Sequence, residues 1–569
     1  TPRRRRRRRR HRRDALDSDA DADADRRDAT RRRTRRDVGR ARRFARRMLA
    51  RARVAASSSA SARRRGASTK AERRRDACVM RAESARATFE RGQDTLRVSY
   101  ELHRENRARA VEAMRARGDG DGVVAMTGGR QTRRYSTDNE PLFRQESYFH
   151  WMFGVLEGDC HGALDARTGK STLFVPRLPE EYAIWMGAIE TRESFAERYL
   201  VDEVMYADEF EGYLKALDTK IYVLKGVNSD SGDVTDGLGA ELEAALGATK
   251  IDATDALFNV ITELRTVKTA REQEVLKYAS KISSMAHVEV IRSLKPGMME
   301  YQLESLFKHT CYSRGGMRNE SYTSICAAGK NGATLHYGHA GAPNSAQIKE
   351  GDLVLMDMGA EYHCYAADIT TTVPAGGKFT PDAKIIYEGV LAAHQAVLKA
   401  LKPGCAWLDL QRLAETHILR ALVDGGFLVG DIDEMMAKRV SATFMPHGLG
   451  HHLGVDTHDV GGYGLPGTPA RSTEPGLKNC RTASLMKEGN VMTIEPGCYF
   501  IDVLLDRALA DGSDIKQYFV ADRVNACRSM GGVRLEDNVV VTADGCQSWT
   551  SVPRTVAEVE AVMAGASWP

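Results

Sequence analysis

Five positions in the C-terminal half of the chain carry side chains that strands do not ordinarily bury. DLVLMDMGAEY at 352–362 reads as a buried strand with Asp357 near its end, and the run ending ADITTTV at 367–373 carries Asp368 eleven residues on. PHGLGHHLG at 446–454 sets histidines among glycines. In VMTIEPGCYF at 491–500, alternation puts Glu495 opposite Met492 and Ile494, just ahead of a Pro-Gly turn; in GGVRLEDNVVV at 531–541, Glu536 lies opposite Val533 and Leu535. A carboxylate in an apolar strand is costly to bury unless it is paired or bound to metal. One such Asp is more often a satisfied structural residue, and one His beside glycines an ordinary loop residue. Five at strand ends in one region change that balance, because four carboxylates with one imidazole repel prohibitively without roughly two divalent cations. An oxygen-rich set with a single His suits Mn²⁺, and also Co²⁺, Fe²⁺ or Zn²⁺, and is too hard for a thiolate-type site.

The elements that must hold these groups show a repeat. A long helical stretch at 268–293 (KTAREQEVLKYASKISSMAHVEVIRS) is stopped by LKPG at 294–297 and followed by a second helical run, EYQLESLFKHTC. The same order returns about one hundred residues later: PDAKIIYEGVLAAHQAVLKA at 381–400, LKPG at 401–404, then WLDLQRLAETHILRAL. Two such units predict a pseudo-symmetric domain built from a duplicated half. Upstream, residues 132–265 alternate β-like runs (TLFVP at 172–176, IYVLKGV at 221–227) with helical stretches such as PEEYAIWMGAIE at 179–190. That alternation predicts an α/β domain over 80–265, a linker within 263–269, and a catalytic domain over 266–569.

Charge divides the chain differently. The 569 residues hold 83 Lys+Arg against 77 Asp+Glu, a formal net charge of +6. Residues 1–79, however, carry 30 Arg and Lys70 against ten acids, a net of +21, so the remaining 490 residues carry a net of −15. The leader, with eight consecutive arginines from Arg3 to Arg10, is low in complexity and is expected to be disordered. Three readings compete for it: an organelle transit peptide, a tether to nucleic acid, or upstream sequence ahead of an initiation site at Met48 or Met80. It lacks the interleaved aromatics that stack on bases, so no nucleic-acid partner is expected. The acidic body, 42% of the whole chain being hydrophobic, is long enough for roughly two to four domains with real cores. No run of about 18 apolar residues occurs, so no membrane partner is expected. Ten scattered cysteines without a CxxC pair argue against a zinc ribbon or a disulfide framework and for a reducing compartment. The expected location is cytoplasmic, with organelle import if the leader is used.

The order Asp, eleven residues on Asp, then His, Glu and Glu resembles the pita-bread metallopeptidases, a family that includes methionine aminopeptidase, aminopeptidase P, creatinase and prolidase. RYSTDNEPLFRQESYFHWMFGV, TGKSTLFVPRLP, LESLFKHTCYSRGGMR, LHYGHAGAPN, FMPHGLGHHLGVDTHDVGGY and GGVRLED are most similar to its prolidase branch, and the resemblance is nearly continuous from about Phe89 to Gly565. It implies an aminopeptidase P-like N-terminal domain, a pita-bread catalytic domain of α+β type with pseudo-twofold symmetry, and a homodimer. The family's ligand pattern falls on Asp357, Asp368, His451, Glu495 and Glu536, with Asp368 and Glu536 bridging two metals. The resemblance further implies that His336 (in LHYGHAG) and His458 (in DTHDVGG) contact substrate and stabilise the tetrahedral intermediate, and that Arg481 clamps the terminal carboxylate of a dipeptide. His452 departs from the pattern, standing where an aromatic residue is more usual.

The reaction so implied is hydrolysis of an Xaa-Pro dipeptide. That bond is a tertiary amide with no N–H, so it cannot adopt the strand-like pose other proteases grip. It needs a strong water nucleophile, and Glu495 is expected to relay the proton to the departing proline nitrogen. Two alternatives remain: an aminopeptidase P acting on longer Xaa-Pro-Xaa peptides, and a non-catalytic binding protein of the same fold, against which the complete ligand set counts.

Overall fold

The computed structural model describes residues 87–569; the Arg-rich leader and the expectation of disorder there lie outside the described residues. The N-terminal domain opens with helix α1 (Glu101–Arg117), which buries Leu102, Ala110 and Met114 at helical spacing. A six-stranded sheet follows, formed by β1 (Val123–Thr127), β2 (His161–Asp165), β3 (Ser171–Val175), β4 (Glu203–Tyr206), β5 (Ile221–Val223) and β6 (Ile251–Asp252). The spatial order is β6-β5-β1-β2-β3-β4, with β1, β2 and β3 antiparallel and the outer pairings parallel. Helix α2 (Ser147–Phe153) is wholly buried, and its first turn is capped by the Glu146 carboxylate, which accepts from the N–H groups of Tyr148 and Phe149. The stretch 179–190, expected to be helical, is helical only over Tyr182–Met186, and none of its side chains is buried. Pro179 precedes it and Gly187, at φ 87°, ends it, so the segment has no apolar partner to hold further turns.

Helix α3 (Ala256–Thr266) occupies the start of the expected linker, and only Val267, Lys268 and Thr269 separate it from α4 (Ala270–Ser293). Thr269 and Glu272 form a reciprocal capping box, which fixes where α4 begins. The first half of the catalytic domain then runs through α5 (Glu300–Gly315) and an antiparallel sheet of β7 (Ile325–Ala328), β8 (Leu353–Asp357) and β9 (Thr370–Pro374). The second half repeats it with α6 (Pro381–Ala400), α7 (Trp407–Asp424) and a sheet of β10 (Val491–Ile494), β11 (Asp537–Val541) and β12 (Cys546–Ser548).

The repeat extends to the backbone of the two LKPG stops. Gly297 and Gly404 both take positive φ (91° and 85°). Each donates its N–H over 2.8 Å to a carbonyl just ahead of a sheet strand of its own half, Ile348 before β8 and Met486 before β10. Isolated bridges follow at Met299–Gln347 and Ala406–Leu485. The pseudo-twofold is therefore written into hydrogen bonds as well as into element order.

One buried ion cluster joins the two domains. Arg265 at the end of α3 contacts Asp459 (2.6 Å) and Asp456 (2.8 Å), and Lys268 reaches the other oxygen of Asp459 (2.8 Å). Arg265, Lys268 and Asp459 are almost fully enclosed, and although burial alone would raise it, the two cations hold the Asp459 carboxyl down at about 2.

The turn between Asp357 and Asp368 is the tightest approach in the first half. A Cβ on Gly359 would overlap the Ala367 carbonyl, a backbone group that cannot swing aside. Gly359→Ala is expected to cost about 2 kcal/mol or more. Thermal unfolding of the variant should show a lower midpoint and weakened divalent-cation binding; an unchanged midpoint and affinity would remove this steric account.

Candidate metal centre

All five expected positions meet at one end of the two catalytic sheets. Asp357 is the last residue of β8, opposite Ile325 and Thr370 in register. Asp368 lies two residues before β9, where its N–H donates to Asn538 Oδ1 (3.2 Å). Glu495 follows β10, and Glu536 immediately precedes β11. His451 is tied to β10 through its N–H, which donates to Thr493 Oγ1 (3.0 Å). Its Nδ1 faces the carbonyl of His452 at 2.9 Å, an acceptor only, so the ring proton sits on Nδ1. That leaves Nε2 as the nitrogen facing the carboxylates, 3.3 Å from Asp368 Oδ2 and 3.4 Å from Glu495 Oε1.

The donor atoms fall into two overlapping groups, Asp357–Asp368–Glu536 and His451–Glu495–Glu536, each with all its atoms within 4.8 Å of one another. Glu536 is common to both. The carboxylates are oriented by hydrogen-bond donors. Tyr322 donates to Asp357 Oδ1 (2.6 Å), Thr370 to Glu536 Oε2 (2.7 Å) and Thr493 to Glu495 Oε1 (3.1 Å).

Electrostatics favours cations here. Burial, reinforced by Asp368, Glu495 and Asp357, holds the Glu536 carboxyl well above its usual range. Burial also lifts Glu495 to about 7, with His451 opposing and Asp368 adding to the shift. Asp357 is raised by burial against the pull of Arg534, while for Asp368 the His451 hydrogen bond outweighs burial and the carboxyl is held low. Protons alone balance a site of this kind poorly, and oxygen donors around one oriented imidazole match two divalent cations. The residues fit a dinuclear centre.

A cavity of about 670 Å³ opens onto these residues, a size suited to a small peptide. His336, His458 and Arg481 line it. The His458 ring meets His451 edge-on, centroids 4.5 Å apart, and burial lowers it to about 2; burial and nearby Arg481 lower His336. Arg481 Nη1 pairs with Asp230 Oδ2 of the N-terminal domain (3.2 Å). His452 does not line this cavity; its buried ring faces a smaller one beside Glu263 and Asn490.

Sequence reasoning missed four groups that shape the site. Arg534 donates to Asp357 (2.5 Å), to Thr370 Oγ1 (3.1 Å) and to the Tyr499 hydroxyl (2.8 Å). His447 lies 3.0 Å from the same hydroxyl and 3.9 Å from Glu495. Tyr322 and Tyr499 complete the network. Arg534 was detectable in principle, since it stands two residues before Glu536 and shares its face.

Residues 274–543 match the profile of Metallopeptidase family M24, and residues 103–222 match that of the Aminopeptidase P N-terminal domain. Xaa-Pro dipeptidases of Rattus norvegicus and Homo sapiens are each 50% identical to this chain, over 84% of it and 96% of their own length. The chain belongs to metallopeptidase family M24. Solved M24-type folds superpose on it as well. The aminopeptidase PepP of Pseudomonas aeruginosa gives a TM-score of 0.66 at 32% identity, covering 81% of this chain and 98% of its own. Zn-substituted aminopeptidase P of E. coli in complex with product gives 0.66 at 28%, covering 83% and 100%. This M24 chain is accordingly a metal-dependent hydrolase with a dinuclear donor set.

Cation binding must displace protons that these carboxylates hold without metal. Lowering the pH through 7 adds a proton to Glu495, so affinity should weaken toward acid, about tenfold per pH unit for each proton displaced. Calorimetric Mn²⁺ titrations between about pH 8 and pH 6, in buffers of different ionisation enthalpy, should show this loss with proton release. Affinity independent of pH over that range would contradict the assignment.

Proposed function

We propose that this chain hydrolyses Xaa-Pro dipeptides and releases free proline, using two Mn²⁺ ions that Asp357, Asp368, His451, Glu495 and Glu536 would hold. The observation that carries this reading is the presence of Arg481 on the wall of the cavity that holds the donor set. A guanidinium paired with Asp230 on the wall of the same cavity suits a substrate whose carboxylate lies one residue beyond the scissile bond. The 50% identity to Xaa-Pro dipeptidases over nearly their whole length supports it further.

When bound, the two cations supply the Lewis acidity that makes a water nucleophile available near neutral pH and the positive charge that meets the developing oxyanion. The protein's own groups do the rest. Glu495, held by Thr493, accepts the proton of the attacking water and returns it to the proline nitrogen as the bond breaks. His336 and His458, kept neutral by burial, offer hydrogen bonds to the substrate. Arg481 shares its charge between Asp230 and the substrate carboxylate. Arg534 and Tyr322 restrain Asp357 so that its orientation survives substrate exchange.

Longer Xaa-Pro-Xaa peptides are the second reading, favoured by the likeness to solved aminopeptidase P structures. At Mn²⁺ concentrations that saturate the weakened site, Glu495→Gln should still abolish Gly-Pro hydrolysis, and Arg481→Ala should weaken dipeptide turnover more than tripeptide turnover. Retained Gly-Pro activity in the first variant would sink the relay; equal losses in the second would favour the longer substrates.

The homodimer belongs to the same proposal. Ile184, Trp185 and Met186 on the short helix at Tyr182–Met186 are 65–83% exposed, an apolar patch of the kind that subunit contacts cover. Sedimentation at a single chain's mass would remove it. Nine cysteines among the described residues are free thiols, which supports a reducing, cytoplasmic setting. Among the described residues no helix is long and apolar enough to cross a membrane. The division between domains at 265/266 is proposed on the same footing.

A further inference from the structure

A second histidine cluster lies away from the cavity, where the two domains meet. His103 comes from α1, His150 from α2, and His363 from the turn that follows β8. All three are at most 5% exposed, and one ring nitrogen from each lies within 4.8 Å of the others. Ring centroids are 4.6–5.2 Å apart, and Phe89 stacks on the outer face of His363 at 4.5 Å.

Carbonyl groups fix the protons of two rings. His150 Nε2 faces the His363 carbonyl (2.9 Å) and His103 Nδ1 faces the Trp151 carbonyl (3.2 Å), so each of these nitrogens is the donor. His150 Nδ1 and His103 Nε2 are therefore lone pairs. His103 Nε2 is met by His363 Nε2 at 3.0 Å, while His150 Nδ1 and His363 Nδ1 have no partner at all. Buried polar atoms left unpaired are costly. Burial keeps all three rings neutral, lowering His103 to about 3 and the other two well below the usual imidazole range. Protonation is thus unavailable as a way to satisfy them.

We propose that His103, His150 and His363 form a binding site for a late first-row divalent cation, Zn²⁺ foremost, that ties the turn of the catalytic domain between two helices of the N-terminal domain. Neutral imidazole is a preferred donor for Zn²⁺ at about 2.0–2.1 Å, which places ligand nitrogens about 3.3 Å apart in tetrahedral geometry, near the 3.0 Å between His103 and His363. Entry of the cation replaces the His103–His363 hydrogen bond; the His363 proton moves from Nε2 to its unpartnered Nδ1, so all three rings stay neutral, no proton is released, and the carbonyl-bound protons of His103 and His150 stay. The charged groups facing the cluster are Arg107 and Arg144. Arg144 is already paired with Glu361 and Asp456, which leaves its net repulsion small. His363 and Cys364 are the two central residues of the tight turn between Tyr362 and Tyr365, both at positive φ (50° and 61°), where glycine or asparagine is usual. A cation gripping His363 would hold that turn in place.

The test uses the full chain saturated with Mn²⁺, then equilibrated with Zn²⁺ and freed of loose metal. Elemental analysis should find one cation per chain beyond those of the dinuclear centre. Zinc K-edge absorption should show a shell dominated by imidazole nitrogens, and Zn²⁺ should raise the unfolding midpoint. His363→Tyr and His103→Phe, neither in the hydrolytic machinery, should each lose that one cation and its thermal shift while keeping Mn²⁺-dependent hydrolysis. Equal metal content in the parent chain and both variants would overturn the proposal. If neither variant folds, an absorption shell in the parent chain without the imidazole signature would overturn it by itself.

Discussion

Mutual repulsion among Asp357, Asp368, Glu495 and Glu536 is the constraint that the rest of the catalytic domain is built to withstand. Charges of one sign, brought this close and largely screened from water, repel by several kcal/mol even at the moderate effective dielectric of protein interiors. Covalent and hydrogen-bonded restraint therefore has to hold them. Each carboxylate sits at the end of a strand or within two residues of one, and the threonines, Tyr322 and Arg534 fix individual oxygens. Bound cations would turn the same repulsion into attraction.

The duplicated half explains how so many strand ends reach one point. Each half supplies a helix pair and a three-stranded antiparallel sheet, and the seam between the sheets is closed by side chains and a main-chain bond from the Glu536 N–H to the Thr370 carbonyl (3.1 Å) rather than by a shared ladder. Arg534 and Glu536 of the second half contact Thr370 and Thr372 of the first. The donors divide between the halves, two from the first and three from the second, so neither half assembles the centre alone.

The sequence made the donor set and the repeat legible because both rest on short-range rules. A carboxylate among apolar strand residues is conspicuous, and LKPG after a long helix is a stop signal wherever it falls. The helix boundaries were close for the same reason: α4 was expected from 268 and begins at Ala270, α6 was expected over 381–400 and does so. The partners of the donors were not legible. Alternation assigns a face but does not say that Arg534 and Tyr499 will meet Asp357 and His447, which are far apart in the chain. Asp230 beside Arg481 comes from another domain altogether. The helix expected across 179–190 failed because apolar content without a buried partner does not sustain helical turns. His103, His150 and His363 lie on three elements across two domains, with no local pattern to link them.

The Arg265–Lys268–Asp459 cluster bears on the order in which the molecule is made. Synthesis proceeds from the N terminus, so α3 and the start of α4 exist before Asp459 is translated. When that residue arrives, two cations are already positioned to receive it, and the loop bearing His458 next to it is seated on a finished template. A catalytic domain made by itself would keep Lys268 but would have to enclose Asp459 with one of its two cations missing. The N-terminal domain is, in this sense, an intramolecular chaperone for one loop of the hydrolytic site.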